Sequence, residues 1–251
     1  MDRHHDAASL LLSARRDPTQ RLRSLPEAVR PKTEEQAYLV QREVIAALGS
    51  IGGWKVGSPN PDGPVNCAPL LLSGVQPSPG WASAAAGPDR GVEAEIAVRI
   101  GADLPPREQP YSRDEVLAAI ESAHPAIELL HSRYSDVDQV DPLSNLADGL
   151  SHQGFVYGAA IPDWQGIDLA AEQVRLLVNG AEIKRRTGNP AGDMVRLVVW
   201  LANHGAHWSG GLRAGQFVTT GSWTAKDFVP AGAEVRVVFT RCGEAAVTFT
   251  P

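Results

Sequence analysis

The segment GVEAEIAVRIG at residues 91–101 alternates strictly between apolar side chains and a second set that includes two glutamates. On a β-strand, successive side chains point to opposite faces, so the valines, the isoleucines and Ala94 share one face. Glu93 and Glu95 then project side by side from the other face. A chain built around this segment must bury one face of a sheet and give two neighbouring carboxylates a common environment.

Two explanations of this carboxylate pair are open. Same-face neighbours on a strand lie roughly 6.6 Å apart, and flexible glutamate side chains can converge from that spacing onto one ion. Two carboxylates and a third oxygen donor suit a hard cation such as Mg²⁺ or Mn²⁺. The alternative is that Glu93 and Glu95 form the solvated face of a half-exposed strand.

The rest of the sequence predicts an α+β fold. Residues 1–50 read as an N-terminal helical segment, because Thr33 and Gln36 have capping-box spacing and apolar residues follow at helical period. Residues 51–251 read as a β-rich domain, because short runs of valine and isoleucine are separated by Gly and Pro turns. The expected strands lie near 92–100, 154–160, 174–179, 215–220 and 234–249, and the expected helices at Asp114–Ala123 and Asp193–Asn203. This irregular mixture favours α+β over a doubly wound sheet.

Charge and cysteine content exclude several classes of protein. The formal net charge of -6 gives no basic excess for a phosphate backbone, so we expect no nucleic-acid partner. Cys67 and Cys242 provide neither a disulfide framework nor paired thiolate ligands for zinc. Apolar runs are too short for a membrane span or a signal peptide, so we expect a cytoplasmic protein without a membrane partner.

Two further ionisable residues have unusual sequence surroundings. Glu128 lies inside the apolar run of PAIELLHSRY at residues 125–134, where a buried carboxylate needs a partner. Glu128 is either a third carboxylate of the metal site or half of a salt bridge, for instance with Arg133.

Lys55 lies in GGWKVG at residues 52–57, between glycines that allow close approach of another group. It either orients a substrate or transfers a proton, or it reaches solvent from a strand end.

Taken in order, these segments resemble the fumarylacetoacetate hydrolase superfamily, in its branch of hydratases and decarboxylases. The similarity begins near residue 33 and continues to the end of the chain. GWKVGSP at 53–59 is similar to the family's glycine-flanked lysine segment, VEAEIAVRIGADLP at 92–105 to its metal-binding strand, and PAIELLHSRY to the segment with its third glutamate. LADGLSHQGFVYG at 146–158 and LRAGQFVTTGSWT at 212–224 resemble segments that follow.

The resemblance implies a β-rich mixed-sheet roll preceded by helices, a Mg²⁺ or Mn²⁺ cofactor, and a homo-oligomer that acts on a small 2-oxo or 2-hydroxydienoic acid. It also assigns roles to seven side chains: the metal ligands Glu93, Glu95 and Glu128, the catalytic residues Lys55 and Asp148, and the substrate-binding residues Ser222 and Thr224. Within this family, such a metal stabilises the enolate charge that develops as the substrate ketonises.

This sequence also departs from the family pattern near the implied substrate pocket. Pro69 stands about where related hydratases carry an acidic residue proposed to transfer a proton. Gly149 stands where asparagine is common, His152 lies close by in sequence, and His131 replaces a frequent aspartate.

Three functions therefore stay open. The first is hydration of a 2-hydroxy-2,4-dienoate, or 2-oxo-4-enoate, to a 4-hydroxy-2-oxo acid. The second is decarboxylation of a 2-oxo-enedioate of the 4-oxalocrotonate type, for which Arg133, Lys184 and Arg185 offer charge for a second carboxylate. The third is a catalytically weakened paralogue that binds a ligand or a partner protein, an alternative motivated by the departures at Pro69 and Gly149.

Overall fold

The computed structural model of this protein describes residues 3–83 and 90–250, so the outermost residues of both predicted segments lie outside it. The helices are α1 (Arg3–Arg16), α2 (Glu34–Leu48), α3 (Arg113–Ala119), α4 (Pro142–Ala147) and α5 (Met194–Trp200). The strands are β1 (Ile51–Gly57), β2 (Asn66–Leu71), β3 (Val75–Pro77), β4 (Gly80–Ala82), β5 (Arg90–Ile100), β6 (Ile120–Leu130), β7 (His152–Tyr157), β8 (Gln173–Val178), β9 (Ala181–Thr187), β10 (Phe217–Thr219), β11 (Asp227–Val229), β12 (Glu234–Phe239) and β13 (Gly243–Phe249).

Within these residues the strands form two mixed sheets. The first has eight strands in the order β2-β1-β10-β5-β6-β7-β3, with β11 paired to β5 beside this path. Its neighbours are antiparallel except for the parallel pairs β1–β10 and β3–β7. The second sheet has the order β4-β13-β12-β8-β9, with β4 parallel to β13. The predicted α+β fold with mixed sheets is confirmed.

The two sheets pack face to face over one apolar core. The predicted apolar face of β5, from Val92 to Ile100, is fully buried against side chains such as Val235, Val247 and Phe249 of the second sheet. The opposite face of β5 is also covered, since Ala97 is buried and Glu95 is only 2% exposed. The explanation of the glutamates as a solvated strand face is therefore wrong for Glu95.

The helices α1 and α2 pack on α4 and on Tyr134, in a second apolar cluster. At the start of α2, the Thr33 hydroxyl accepts a hydrogen bond from the Gln36 backbone N–H at 3.2 Å, as the spacing predicted. The Gln36 side chain accepts from the N–H of Lys32 instead of Thr33, so the cap is not reciprocal. The division of the chain into two domains stays a prediction.

The predicted helix Asp114–Ala123 is wrong in its second part. A capping box at Ser112 starts α3, but this helix ends at Ala119 and the strand β6 follows at once. From Ala123 to Leu130 every residue of β6 is buried. At the boundary, Ile120 follows Val116 and Leu117 by four and three residues, which is helical spacing, so the local pattern does not show that the chain changes from helix to strand there.

The other predicted elements are confirmed to within a few residues. The predicted strands correspond to β5, β7, β8, β10, and the pair β12 and β13, which are separated by the predicted turn at residues 241–243. The predicted helix from Asp193 begins there with its N-cap, and α5 continues as a wider helical turn at Leu201–Gly205. In the part of the chain that the structure describes, no helix is long and apolar enough to cross a membrane.

Candidate metal centre

The register of β5 and β6 brings three glutamates together. Glu93 lies directly opposite Glu128 in the antiparallel pair, so the two side chains leave the same face of the sheet. Glu95 follows two residues along β5, and one carboxylate oxygen from each of the three lies within 4.8 Å of the others. The three predicted metal ligands therefore form one cluster, while their binding of an ion stays a prediction.

Burial makes this concentration of negative charge unfavourable on its own. Burial raises the pKa of Glu93 to about 7, with Lys55 opposing and Glu128 adding to the shift. Burial, followed by the charges of Glu128 and Glu93, raises the pKa of Glu95 well above its usual value. A divalent cation would neutralise two of these charges and remove their mutual repulsion. The donor set, three carboxylates in a buried pocket, therefore fits a hard cation.

Lys55 reaches the cluster from β1. The β1–β10 pairing requires a glycine at position 53, where a Cβ atom would lie 2.2 Å from the carbonyl oxygen of Phe217. The Lys55 ammonium lies 2.7 Å from Glu128 Oε1 and donates a hydrogen bond to the Leu150 carbonyl at 3.3 Å. Burial lowers the pKa of Lys55, but the charges of Glu128 and other carboxylates outweigh it and raise that pKa above its usual value. The alternative of a lysine reaching solvent is wrong.

The two carboxylate oxygens of Glu128 differ in their hydrogen-bond partners. Its Oε1 is engaged by Lys55 and lies 3.0 Å from Nδ1 of His152. Burial disfavours its charge, yet Lys55 and His152 hold the pKa of Glu128 below its usual value. Its Oε2 is buried and has no hydrogen-bond partner among the described residues. An unpaired buried acceptor costs about 1–3 kcal/mol, so this oxygen is suited to a cation.

A strained turn supports Lys55 and His152, the two residues that contact Glu128. Gly149, Leu150 and Ser151 have consecutive φ angles of 64°, 54° and 63°, a left-handed conformation that costs roughly 1–2 kcal/mol for each residue with a side chain. The turn aims the Leu150 carbonyl at Lys55 and leads directly into His152. Glycine at position 149 adopts this backbone without steric cost.

Asp148 lies beside this turn but outside the glutamate cluster. Its carboxylate accepts hydrogen bonds from the Arg133 guanidinium and from the Arg133 backbone N–H at 3.2 Å, and both residues are buried. The proposed salt bridge between Glu128 and Arg133 is therefore wrong, because Arg133 pairs with Asp148. The catalytic role of Asp148 stays a prediction, and its contacts are those of a residue that stabilises the fold.

We expect Asp148→Asn to lower the free energy of unfolding by about 2 kcal/mol, because it weakens charge-assisted hydrogen bonds in a buried pair. Turnover per folded molecule should change little. Chemical denaturation and kcat of the same preparation test this, with the exposed Asp62→Asn as the control. A large fall in kcat at unchanged stability would instead support the catalytic role.

A cavity of about 410 Å³ opens onto the cluster and is bordered by Lys55, Glu93 and Glu95. The predicted substrate-binding residue Ser222 lies on its wall. Thr224 is buried, and its hydroxyl accepts a hydrogen bond from the Ala94 backbone N–H at 3.0 Å, which ties the segment after β10 to β5. The structure thus brings Ser222 to the cavity and Thr224 to the strand beside it, and substrate binding by either residue stays a prediction.

Asn66 is a cavity residue that sequence reasoning missed. It lies on the cavity wall, and its Oδ1 is buried without a hydrogen-bond partner in the described parts of the chain. Pro69 borders a second cavity together with Gly149 and His152, two of the other departures from the family pattern, and it does not line the cavity beside Glu93 and Glu95. Its position relative to the substrate stays a prediction. The register of β2 against β1 decides which cavity Asn66 and Pro69 each border, and this register cannot be predicted from the local sequence.

Comparison with known proteins places this arrangement in context. The family described as fumarylacetoacetate (FAA) hydrolase C-terminal matches residues 81–250. The chain is 30% identical over 159 residues to the 2-hydroxyhexa-2,4-dienoate hydratase of Comamonas testosteroni, covering 63% of this chain and 59% of that protein. It is 29% identical over 164 residues to the 4-oxalocrotonate decarboxylase of Pseudomonas putida, with coverage of 63% and 59%. The matched region thus spans about three fifths of the length of these relatives.

A solved structure agrees over almost the whole chain. The 4-oxalocrotonate decarboxylase from Pseudomonas putida G7, complexed with magnesium and adipate, superposes with a TM-score of 0.82 and is 25% identical in sequence. The match covers 97% of each chain. The 2-hydroxyhepta-2,4-diene-1,7-dioate isomerase from Mycobacterium marinum has the same fold at a TM-score of 0.59 and 18% identity, covering 80% of this chain and 75% of the other.

Proposed function

Because this chain belongs to the fumarylacetoacetate hydrolase family, we propose that it is a metal-dependent hydratase. It would add water to a 2-hydroxy-2,4-dienoate, as the 2-oxo-4-enoate, and release a 4-hydroxy-2-oxo acid. Relatives named as a hydratase and as a decarboxylase support a reaction on a small unsaturated oxo acid. A homo-oligomeric state and a cytoplasmic location stay predictions.

The charge of the cavity wall favours hydration over decarboxylation. Among the lining side chains that the structure describes, Lys55 is the only cation, and Glu128 already engages its ammonium. Three cations considered for a second substrate carboxylate are instead paired with neighbouring acids, as Arg133–Asp148, Lys184–Asp227 and Arg185–Glu182. A second carboxylate would therefore lose its hydration without gaining a cation on this wall, so the cavity favours a substrate with one carboxylate and an uncharged tail.

The chain's own groups provide the remaining chemistry. Glu93, Glu95 and Glu128 would hold Mg²⁺ or Mn²⁺, which when bound supplies Lewis acidity that stabilises negative charge on substrate oxygens. Lys55, charged beside the cluster, would use the N–H groups not directed at Glu128 to orient the substrate carboxylate, or would give a proton to a substrate carbon. Ser222 on the wall can donate a hydrogen bond to the same carboxylate. Because Glu95 and Glu128 are buried, their electrostatic interactions are stronger than in water.

A decarboxylase is the second candidate. It is favoured by the match over 97% of both chains to the magnesium-bound 4-oxalocrotonate decarboxylase. Among the described lining residues, such a reaction would find no second cation for the distal carboxylate.

We expect kcat/KM for 2-hydroxypenta-2,4-dienoate to exceed that for 4-oxalocrotonate by at least about tenfold, because a second carboxylate would lose hydration without gaining a cation and about 1.4 kcal/mol already gives tenfold. The test is loss of conjugated absorbance with Mg²⁺ or Mn²⁺, followed together with carbon dioxide release. Faster release of carbon dioxide from 4-oxalocrotonate would establish the decarboxylase. Metal and substrate binding without turnover of either compound would support the weakened paralogue.

A further inference from the structure

Glu128 is held by two donors on the same oxygen. The Lys55 ammonium and Nδ1 of His152 both contact Oε1, at 2.7 Å and 3.0 Å. Glu128 is completely buried and His152 is only 4% exposed, so solvent does not compete for these contacts. Since an ionised carboxylate only accepts hydrogen bonds, Nδ1 of His152 carries the proton that this contact requires. The two donors leave Oε2 as the oxygen available to a cation.

The backbone of His152 is itself firmly held. Its N–H donates to the Gly149 carbonyl at 3.1 Å, across the left-handed turn. Its carbonyl accepts a hydrogen bond at 3.1 Å from the guanidinium of Arg133, the residue that pairs with Asp148. The imidazole therefore projects from an anchored point at the start of β7. A ring supported in this way can fix the orientation of the carboxylate that it touches.

We propose that His152 is a positioning residue, which turns the Glu128 carboxylate so that Oε2 is presented to the metal ion. Lys55 is a long, flexible side chain, and with this contact alone Oε1 could move together with the ammonium. The second contact, from the anchored imidazole, fixes the position of Oε1, and because a carboxylate is a rigid planar group this also sets the direction of Oε2. Partners of this kind set the geometry of metal ligands, and their loss typically reduces metal affinity by about 10–100-fold. The inference rests on the proposed metal-dependent function, but it concerns affinity for the ion and not turnover.

The test measures Mn²⁺ and Mg²⁺ affinity by isothermal titration calorimetry of the full chain. We expect His152→Ala to raise the Kd for Mn²⁺ by about 10–100-fold. His152→Asn should stay within about threefold of the wild type, because its amide N–H can replace Nδ1–H as the donor to Oε1. Thermal unfolding in EDTA reports whether each variant is folded, and the rise in Tm on adding Mn²⁺ gives an independent measure of binding.

His124→Ala is the matched control. His124 is also a buried histidine on the same sheet, 7% exposed, but its Nδ1 contacts the Gly158 carbonyl and its Nε2 contacts Ser122, away from the glutamates. It should lose stability in EDTA and keep its Mn²⁺ affinity.

The outcomes separate this inference from the proposed function. If the wild type binds no Mn²⁺ or Mg²⁺, the metal-dependent function and the positioning role both fail. If the wild type binds and His152→Ala binds equally well, only the positioning role is overturned. Equal loss of affinity in His152→Ala and His152→Asn would also overturn it, because the ring would then act by its shape and not as a hydrogen-bond donor.

Discussion

Replacing Glu95 by glutamine should lower kcat/KM about 10³-fold while leaving the metal-free fold at least as stable as the wild type. A Lewis-acidic cation contributes several kcal/mol to stabilising developing charge, and each 1.36 kcal/mol is a factor of ten. Burial and the charges of Glu128 and Glu93 already oppose ionisation of Glu95. A neutral amide of the same shape removes that repulsion. We therefore expect the metal-free variant to gain stability, while the metal-bound enzyme loses activity.

Three measurements check this expectation: kcat/KM on a 2-hydroxydienoate, Mn²⁺ affinity, and chemical denaturation in EDTA. The control is Glu121→Gln, an exposed glutamate on β6 that pairs with Arg99 at 3.3 Å. Unchanged turnover in Glu95→Gln would rule out the proposed metal site. A large loss of stability in EDTA would show that Glu95 acts as a structural carboxylate.

Replacing Lys55 by methionine should lower the free energy of unfolding by about 3–5 kcal/mol and remove turnover. Breaking a buried ion pair leaves an uncompensated charge, and the remaining carboxylate, Glu128, has no exposed surface. His152 would stay as its neutral donor, since burial lowers the pKa of this imidazole. Chemical denaturation in EDTA measures the stability change without a contribution from bound metal.

A double variant tests whether the stability loss of Lys55→Met comes from the uncompensated charge of Glu128. Lys55→Met with Glu128→Gln should recover most of the stability and none of the turnover, since it removes the charge together with its partner. Lys226→Met is the control, because its partner Asp138 is 79% exposed and stays solvated when the lysine is removed. The stability loss of this control should not exceed about 1 kcal/mol. Equal losses for Lys55→Met and Lys226→Met would show that the buried charge is not the cause.

The sequence predicted those parts of the site that lie on one element. Glu93 and Glu95 share a face because the strand period is two, and no other part of the fold is needed to infer it. The position of Glu128 depends on the register of β6 against β5, where a slip of one residue would turn it to the other face. Only the family resemblance linked Glu128 to the pair, since β6 itself was expected to begin as a helix.

Contacts between distant segments could not be predicted. His152 reaches Glu128 through three consecutive left-handed residues, two of which are not glycine, and local preference disfavours such a backbone. The family pattern likewise gave the position of Asp148 along the chain but not its pairing with Arg133. Similar segments predict which strands come together, whereas the partners of each side chain depend on the neighbours that this sequence supplies.

The parallel pairing of β1 with β10 bears on how this protein folds. Gly53 lies beside Phe217, so most of the chain must be synthesised before Lys55 has its place in the sheet. Closing so long a loop costs entropy before any contact compensates for it, and topologies with such distant contacts fold slowly. The antiparallel strands β5 and β6 are close in sequence and can pair earlier. The glutamates would then meet before their lysine arrives, so we expect the complete site to form only in the last steps of folding.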